Sequence, residues 1–262
     1  MKTGIIYFSA TGTTKALAEA VSRGLSGNVH FMDVTLPESR KNGIIVDNDL
    51  TIIAAPVYGE RIPGFLFDFF HRIKGNGTPL AAISVYGNMG FGISLQQYRE
   101  FAEDNHFRLI AAGVFIGQHT YATKMAPVAY GRPDEYDLQQ ARRFGESIQK
   151  KMDRGDGTPV FLPATVLPRF ITAFPDSGIR LLIRQPRVKE AGCISCGVCA
   201  LKCPMGAIDF RTLKIHEQKC LRCYACVKVC PKAARIAEFR FPMFRSAFNR
   251  LGAKRKENQI FL

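Results

Sequence analysis

All eight cysteines of the chain lie between residues 193 and 230. Cys193, Cys196, Cys199 and Cys203 run up to Pro204, and Cys220, Cys223, Cys226 and Cys230 run up to Pro231. Each set reads C-x2-C-x2-C-x3-C-P, and the second repeats the first with identical spacing. A disulfide framework belongs to small secreted chains, and the N-terminus shows no secretory architecture. Zinc sites group cysteines as two separated pairs, not as three evenly spaced residues and a fourth. Three cysteines spaced by three wrap one loop around a cubane, each thiolate reaching a different iron. In the two-cluster pattern the fourth ligates the other cluster. The spacing therefore predicts Cys193, Cys196, Cys199 and Cys230 on one [4Fe–4S] cluster, and Cys203, Cys220, Cys223 and Cys226 on a second. That crossing ties two half-motifs together in a module of about 45 residues, whose apolar core is small. A cluster held by four thiolates has no open position, so the module is expected to carry electrons.

A second candidate site lies near the N-terminus. The apolar run Thr3–Phe8 breaks into Ser9-Ala10-Thr11-Gly12-Thr13-Thr14, and Lys15–Leu25 then places Leu17, Ala18, Val21 and Leu25 on one helical face. A strand, a hydroxyl-rich loop and a helix start form an anion site, because backbone N–H groups converge there and the helix dipole favours negative charge. The loop is neither G-x4-G-K-[ST] nor G-x-G-x-x-G. Two later stretches, Ala55-Pro56-Val57-Tyr58-Gly59 and Tyr86-Gly87-Asn88-Met89-Gly90-Phe91-Gly92, combine glycines with aromatic rings. Glycine admits close backbone approach and the rings can flank a flat ligand.

The elements that must position these loops alternate. Val29–Val34, Leu50–Tyr58, Leu80–Tyr86 and Leu109–Ile116 read as further strands; Gly64–Ile73, Ser94–Asn105 and about Asp134–Met152 read as helices. Five βα units predict a parallel sheet with helices on both faces and ligand sites at the strand carboxyl ends.

On these residues the chain resembles two known families. Ser9–Thr14 matches the [ST]-x-[ST]-G-x-T phosphate loop of flavodoxins, over residues 1–150 or so, and residues 191–236 resemble the bacterial two-cluster ferredoxins. The second motif departs from their commonest form in having Tyr224 where Gly197 stands in the first. Together the chain looks like the flavodoxin–ferredoxin fusions of anaerobic bacteria and archaea. The resemblance implies a doubly wound, five-stranded parallel sheet of order 2-1-3-4-5, followed by a small α+β ferredoxin-like domain. It implies FMN, with phosphate on Ser9, Thr11, Gly12, Thr13 and Thr14. The ring would lie against Pro56, Val57, Tyr58 and Gly59 and against Gly87, Asn88, Met89, Gly90 and Phe91. The chain has no Trp, which often covers the flavin in flavodoxins, so Tyr58 is the expected cover and Phe91 the next. Gly131-Arg132-Pro133-Asp134 is a familiar stretch of these fusions and has no role assigned from sequence.

The expected organisation is a flavodoxin-like domain over 1–155, an ordered Pro-rich connector over 156–190, a ferredoxin domain over 191–236 and a basic aromatic tail over 237–262. The net charge of +14 is lopsided: residues 1–150 hold 15 Lys and Arg against 14 Asp and Glu, and the remainder 21 against 8. Two oxidised clusters on eight thiolates and an FMN phosphate would bring the holoprotein to about +8. The basic excess predicts an acidic redox protein as partner, with peripheral membrane contact second; no nucleic-acid motif accompanies it. In the tail, Phe241, Phe244, Phe248 and Leu251 recur at helical spacing, which predicts a helix docked on its own domain. A basic amphipathic segment for an acidic partner or an anionic membrane is the sharper reading. The five histidines show no metal or triad spacing, and no cysteine is left over as a nucleophile. Location in the cytoplasm is expected. The leading function is electron transfer between FMN and two clusters. The alternatives are a flavin-dependent reductase of a small molecule such as a quinone, and an iron–sulfur redox sensor.

Overall fold

The computed structural model describes residues 1–124, 126–163 and 176–262; Pro168 and Pro175 of the expected connector lie outside these. The N-terminal half is a parallel sheet of β1 (Lys2–Tyr7), β2 (Asn28–Asp33), β3 (Leu50–Pro56), β4 (Thr78–Tyr86) and β5 (Phe107–Ile116). Their spatial order is 2-1-3-4-5. The central strands read as unbroken apolar runs because both of their faces are covered. Ile5, Tyr7, Ile52 and Ile83 pack under α1 (Thr13–Ser22) and α4 (Glu135–Asp153). Ile6, Phe8, Ile53 and Ala82 pack under α2 (Gly64–Phe70) and α3 (Ser94–Asp104). The strand carboxyl ends, where a doubly wound sheet places its ligands, therefore gather the loops after β1, β3, β4 and β5 along one rim.

The cysteine half preserves its sequence repeat in space. Short helices at Val198–Leu201 and Ala225–Lys228 start at matching places in the two motifs, and the pair Arg187–Val188 bonds antiparallel to Arg235–Ile236. Arg40, buried against the rings of Phe8 and Phe65, pins the two halves together. Its guanidinium donates to the carbonyls of Val34 and Thr35 on one side and to Pro204 on the other, each at 2.6 Å. Across the same seam the Thr120 hydroxyl donates to the Cys223 carbonyl at 2.5 Å.

The tail corrects two expectations. Among the described residues the sheet has six strands, because Gln259–Phe261 pairs antiparallel with β5. The expected helix forms over Pro242–Gly252, but its anchorage is on the N-terminal half, where Gly252 packs against Val128. Arg132 explains the placement. Its Nε donates to Asp137 at 2.7 Å, its Nη2 also bonds Asp137, and its Nη1 donates to the Lys256 carbonyl at 2.9 Å. Asn258 bonds Asp137 and Gln140 and accepts the β5 amide of Ile116. The stretch Gly131–Asp134, without a role from sequence alone, is thus the socket of the tail.

Candidate functional site

Both cysteine loops turn on a residue in the left-handed region. At Gly197 (φ 71°) a β-carbon would stand 2.5 Å from the Phe210 ring, so a side chain there would be strained and crowded. At Tyr224 (φ 58°) a side chain is tolerated, because the ring packs edge-on to Tyr121 with centroids 4.8 Å apart. That contact across the seam offsets a strain of about 1–3 kcal/mol.

The thiols fall into two groups around two cavities. Cys193, Cys196, Cys199 and Cys230 line one, and Cys203, Cys220, Cys223 and Cys226 line the other. Among the described residues no three Cys, His, Asp or Glu side chains draw together on one point. Each thiol set instead rings a space, as a multi-iron group needs. Backbone amides are turned onto the sulfurs: Ala207 N–H lies 3.2 Å from Cys203 Sγ, and Ala234 N–H 3.2 Å from Cys230 Sγ. Arg235 is buried with its Nη2 at 3.3 Å from Cys199 Sγ, and Arg222 is buried on the wall of the second cavity. Nε of both, and Nη1 of Arg222, have no partner among the described residues. Donors left over beside a thiol-lined cavity fit a group that brings its own sulfides.

Electrostatics point the same way. Burial, reinforced by neighbouring thiols, pushes Cys223 and Cys226 up to about 12. Burial opposes ionisation of Cys230 as well, but the amides of Arg235, Lys232 and Ala234 and the Arg235 guanidinium outweigh it and hold that thiol low. A coordinating thiol is deprotonated outright, so a cation in the second cavity is what would release the buried protons.

On the N-terminal half, Gly12 (φ 87°) precedes α1 and brings no side-chain cap, which leaves the amides of Thr13 and Thr14 toward the loop. Ser9 Oγ accepts from Lys15 N–H at 3.0 Å, and Ser9 N–H donates to Thr35 Oγ1 at 2.9 Å, which fixes the loop's curvature. At the carboxyl ends of β3, β4 and β5 lies a cavity of about 610 Å³. Val57, Tyr58, Gly59, Gly87, Met89 and Gly90 form part of its wall, and Leu221 and Cys223 form another part. Cys223 therefore belongs to the walls of this cavity and of the second thiol cavity at once.

Residues 4–123 match the family described as flavodoxin domain, and residues 192–234 the family described as 4Fe-4S dicluster domain. The chain joins a flavodoxin to a dicluster ferredoxin. A putative diflavin flavoprotein A 2 of Thermosynechococcus vestitus is 27% identical over 157 residues, covering 57% of this chain and 25% of that protein. The fusion thus spans about a quarter of that relative's length. A flavodoxin from the domain Archaea is 18% identical with a TM-score of 0.42, covering 58% of this chain and 99% of that one. Flavodoxin 1 of Bacillus cereus is 16% identical with a TM-score of 0.43, covering 57% and 98%. These two domain types imply a flavin and 4Fe-4S clusters as cofactors. No helix among the described residues is long and apolar enough to cross a membrane.

Within the flavodoxin domain the ring loops divide. Pro56 ends β3 and is buried in the sheet. Phe91 turns its ring edge-on to Tyr86, centroids 5.7 Å apart. The Asn88 side chain is taken by the tail: Nδ2 donates to the carbonyls of Gly252 and Lys254, and Oδ1 accepts from Lys256 N–H. Burial raises the Tyr58 hydroxyl far above its usual range, with Cys223 adding to it. Among the cavity residues that the sequence did not mark are His119, Thr120 and Tyr121, in the loop after β5. The rule that ligands sit at strand carboxyl ends covers this loop as well as the two before it, and it was the available signal.

Proposed function

We propose that the fusion passes electrons between FMN, held by the Ser9–Thr14 loop and the two ring loops, and two [4Fe–4S] clusters on the crossed cysteine sets. The order is flavin, then the cluster on Cys203, Cys220, Cys223 and Cys226, then the cluster on Cys193, Cys196, Cys199 and Cys230. One observation carries this order: Cys223 lines both the ring cavity and the second thiol cavity. Bound FMN takes two electrons and gives them up singly, while each cluster passes one at a time. The protein's part is position. Arg40 on Pro204 and Thr120 on Cys223 hold the near cysteine loops against the flavodoxin rim. Around the far thiol cavity Cys196 is exposed, with Ile194, Leu201 and Phe210 exposed nearby. With the basic excess of this half, that surface suits an acidic redox protein.

Protein purified under argon is expected to contain about one FMN and eight irons, by the motif arithmetic. A colourless, iron-free protein that takes up zinc instead would overturn the reading. Arg235 gives a second test, since a buried cation hydrogen-bonded to a ligand sulfur favours the reduced cluster. Arg235→Met is expected to move one cluster midpoint to a more negative potential in an anaerobic titration, with iron content unchanged. Unmoved midpoints would separate Arg235 from the clusters.

A further inference from the structure

We infer that the cavity of about 610 Å³ is also the binding site of a flat, uncharged carbonyl compound of the quinone class, seated between the ring loops and the helix Pro242–Gly252. This rests on the flavin reading above. The lining is mixed: the glycine-bearing loops around Tyr58 and Gly87 contribute to it, and so do the apolar side chains of Leu182, Phe239, Phe244, Phe248 and Leu251. None of the phosphate-loop residues lies on its wall, so the ring portion alone of the flavin would share it. Pockets from about 300 Å³ upward already hold a whole drug-sized ligand. At about 610 Å³ the cavity is about twice that size, so a ring system against the loops would leave room for a second flat molecule beside the apolar residues.

The apolar lining also reaches solvent. Leu251 is 67% exposed and Ala247 is exposed, yet both line the cavity, so its mouth is apolar. Electron exit by way of Cys223 needs no such mouth. The helix that forms it is held in place, because Asn88 grips the carbonyls of Gly252 and Lys254 and the Lys256 ammonium bonds the Met89 carbonyl.

One polar group on the wall matches a carbonyl. His119 Nδ1 accepts from Tyr121 N–H at 3.2 Å, which leaves Nε2 as the N–H of the neutral ring. The ring lies between Gly87, where a β-carbon would collide with Cδ2, and Phe248, with centroids 4.6 Å apart. Burial, aided by Lys228, keeps this imidazole neutral down to about 4. Glu60 and Arg61 also line the wall with opposite charges, so the site carries no net charge to select an ion.

The test uses the FMN- and cluster-loaded protein, kept oxidised under argon, in equilibrium dialysis with 2-methyl-1,4-naphthoquinone. Saturable binding of one equivalent is expected, with 2-methylnaphthalene bound at least tenfold more weakly because it lacks the carbonyls. Leu251→Arg and Ala247→Arg, at exposed positions of the mouth, are each expected to weaken quinone binding at least tenfold while FMN and iron contents stay unchanged. Absence of saturable binding, equal binding of the hydrocarbon, or unaltered affinity in both variants would overturn the inference. Wild-type protein without FMN and iron would instead strike down the electron-transfer reading itself.

Discussion

Cys230→Ser is expected to remove the cluster built on Cys193, Cys196 and Cys199 and to leave the other, so that iron falls from about eight to about four per FMN. Cys230 stands a whole motif beyond Cys199 in the chain, yet it lines the same cavity, while its sequence neighbour Cys226 lines the other. The complementary variant, Cys223→Ser, is expected to remove the near cluster instead. Its effect on function should be the larger of the two, since Cys223 is the cysteine that lines the ring cavity as well. The far cluster should persist in the electron paramagnetic resonance spectrum of dithionite-treated protein, but flavin reduced by light should no longer deliver electrons to it. Loss of the near cluster in Cys230→Ser would show that each C-x2-C-x2-C-x3-C run closes on itself. Flavin-to-cluster transfer that survives in Cys223→Ser would break the proposed order of carriers.

The second large effect concerns the tail. Asp137 and Arg132 are buried together, and Asp137 also accepts from Asn258 and from the Asp134 amide that opens α4. Removing one partner of a buried ion pair leaves the other charge uncompensated, at about 3–5 kcal/mol. Asp137→Ala is therefore expected to lower the unfolding free energy of the holoprotein by that amount in urea. It should also expose the Lys254–Lys256 segment to trypsin, because Arg132 would lose the partner that orients it toward the Lys256 carbonyl. The double variant Arg132→Met with Asp137→Leu should recover part of the loss by replacing the pair with apolar volume. Full recovery is not expected, since the Asn258 and Asp134 bonds would still be missing. An unchanged urea midpoint in Asp137→Ala would show that the tail is held by its helix and strand alone.

Secondary structure was legible wherever an apolar run was buried on both faces or a helix kept one apolar side. The strand ending at Pro56 and the helix beginning at Ser94 fall within a residue or two of where periodicity puts them. Leu109–Ile116 came out two residues short, because β5 begins at Phe107 and passes through the exposed Arg108, which interrupts the apolar run. The sixth strand was invisible for a different reason. Gln259–Phe261 is too short to show a pattern, and its partner strand lies on the far side of the whole cysteine half in the chain.

The chemistry of this protein was determined by the sequence alone where its groups are near neighbours in the chain. A C-x2-C-x2-C-x3-C run or a hydroxyl loop between strand and helix carries its geometry locally, since a few residues of backbone dictate which thiolates or amides converge. What only the tertiary structure decided are the contacts between distant segments. Arg40 meets Pro204, Thr120 meets Cys223, Asn88 is taken by the tail, and His119 faces Phe248. Each depends on how segments far apart in the chain are seated against one another. Residue type and spacing along the chain do not encode that seating, because it arises from shape and burial across a surface that no one segment shows on its own.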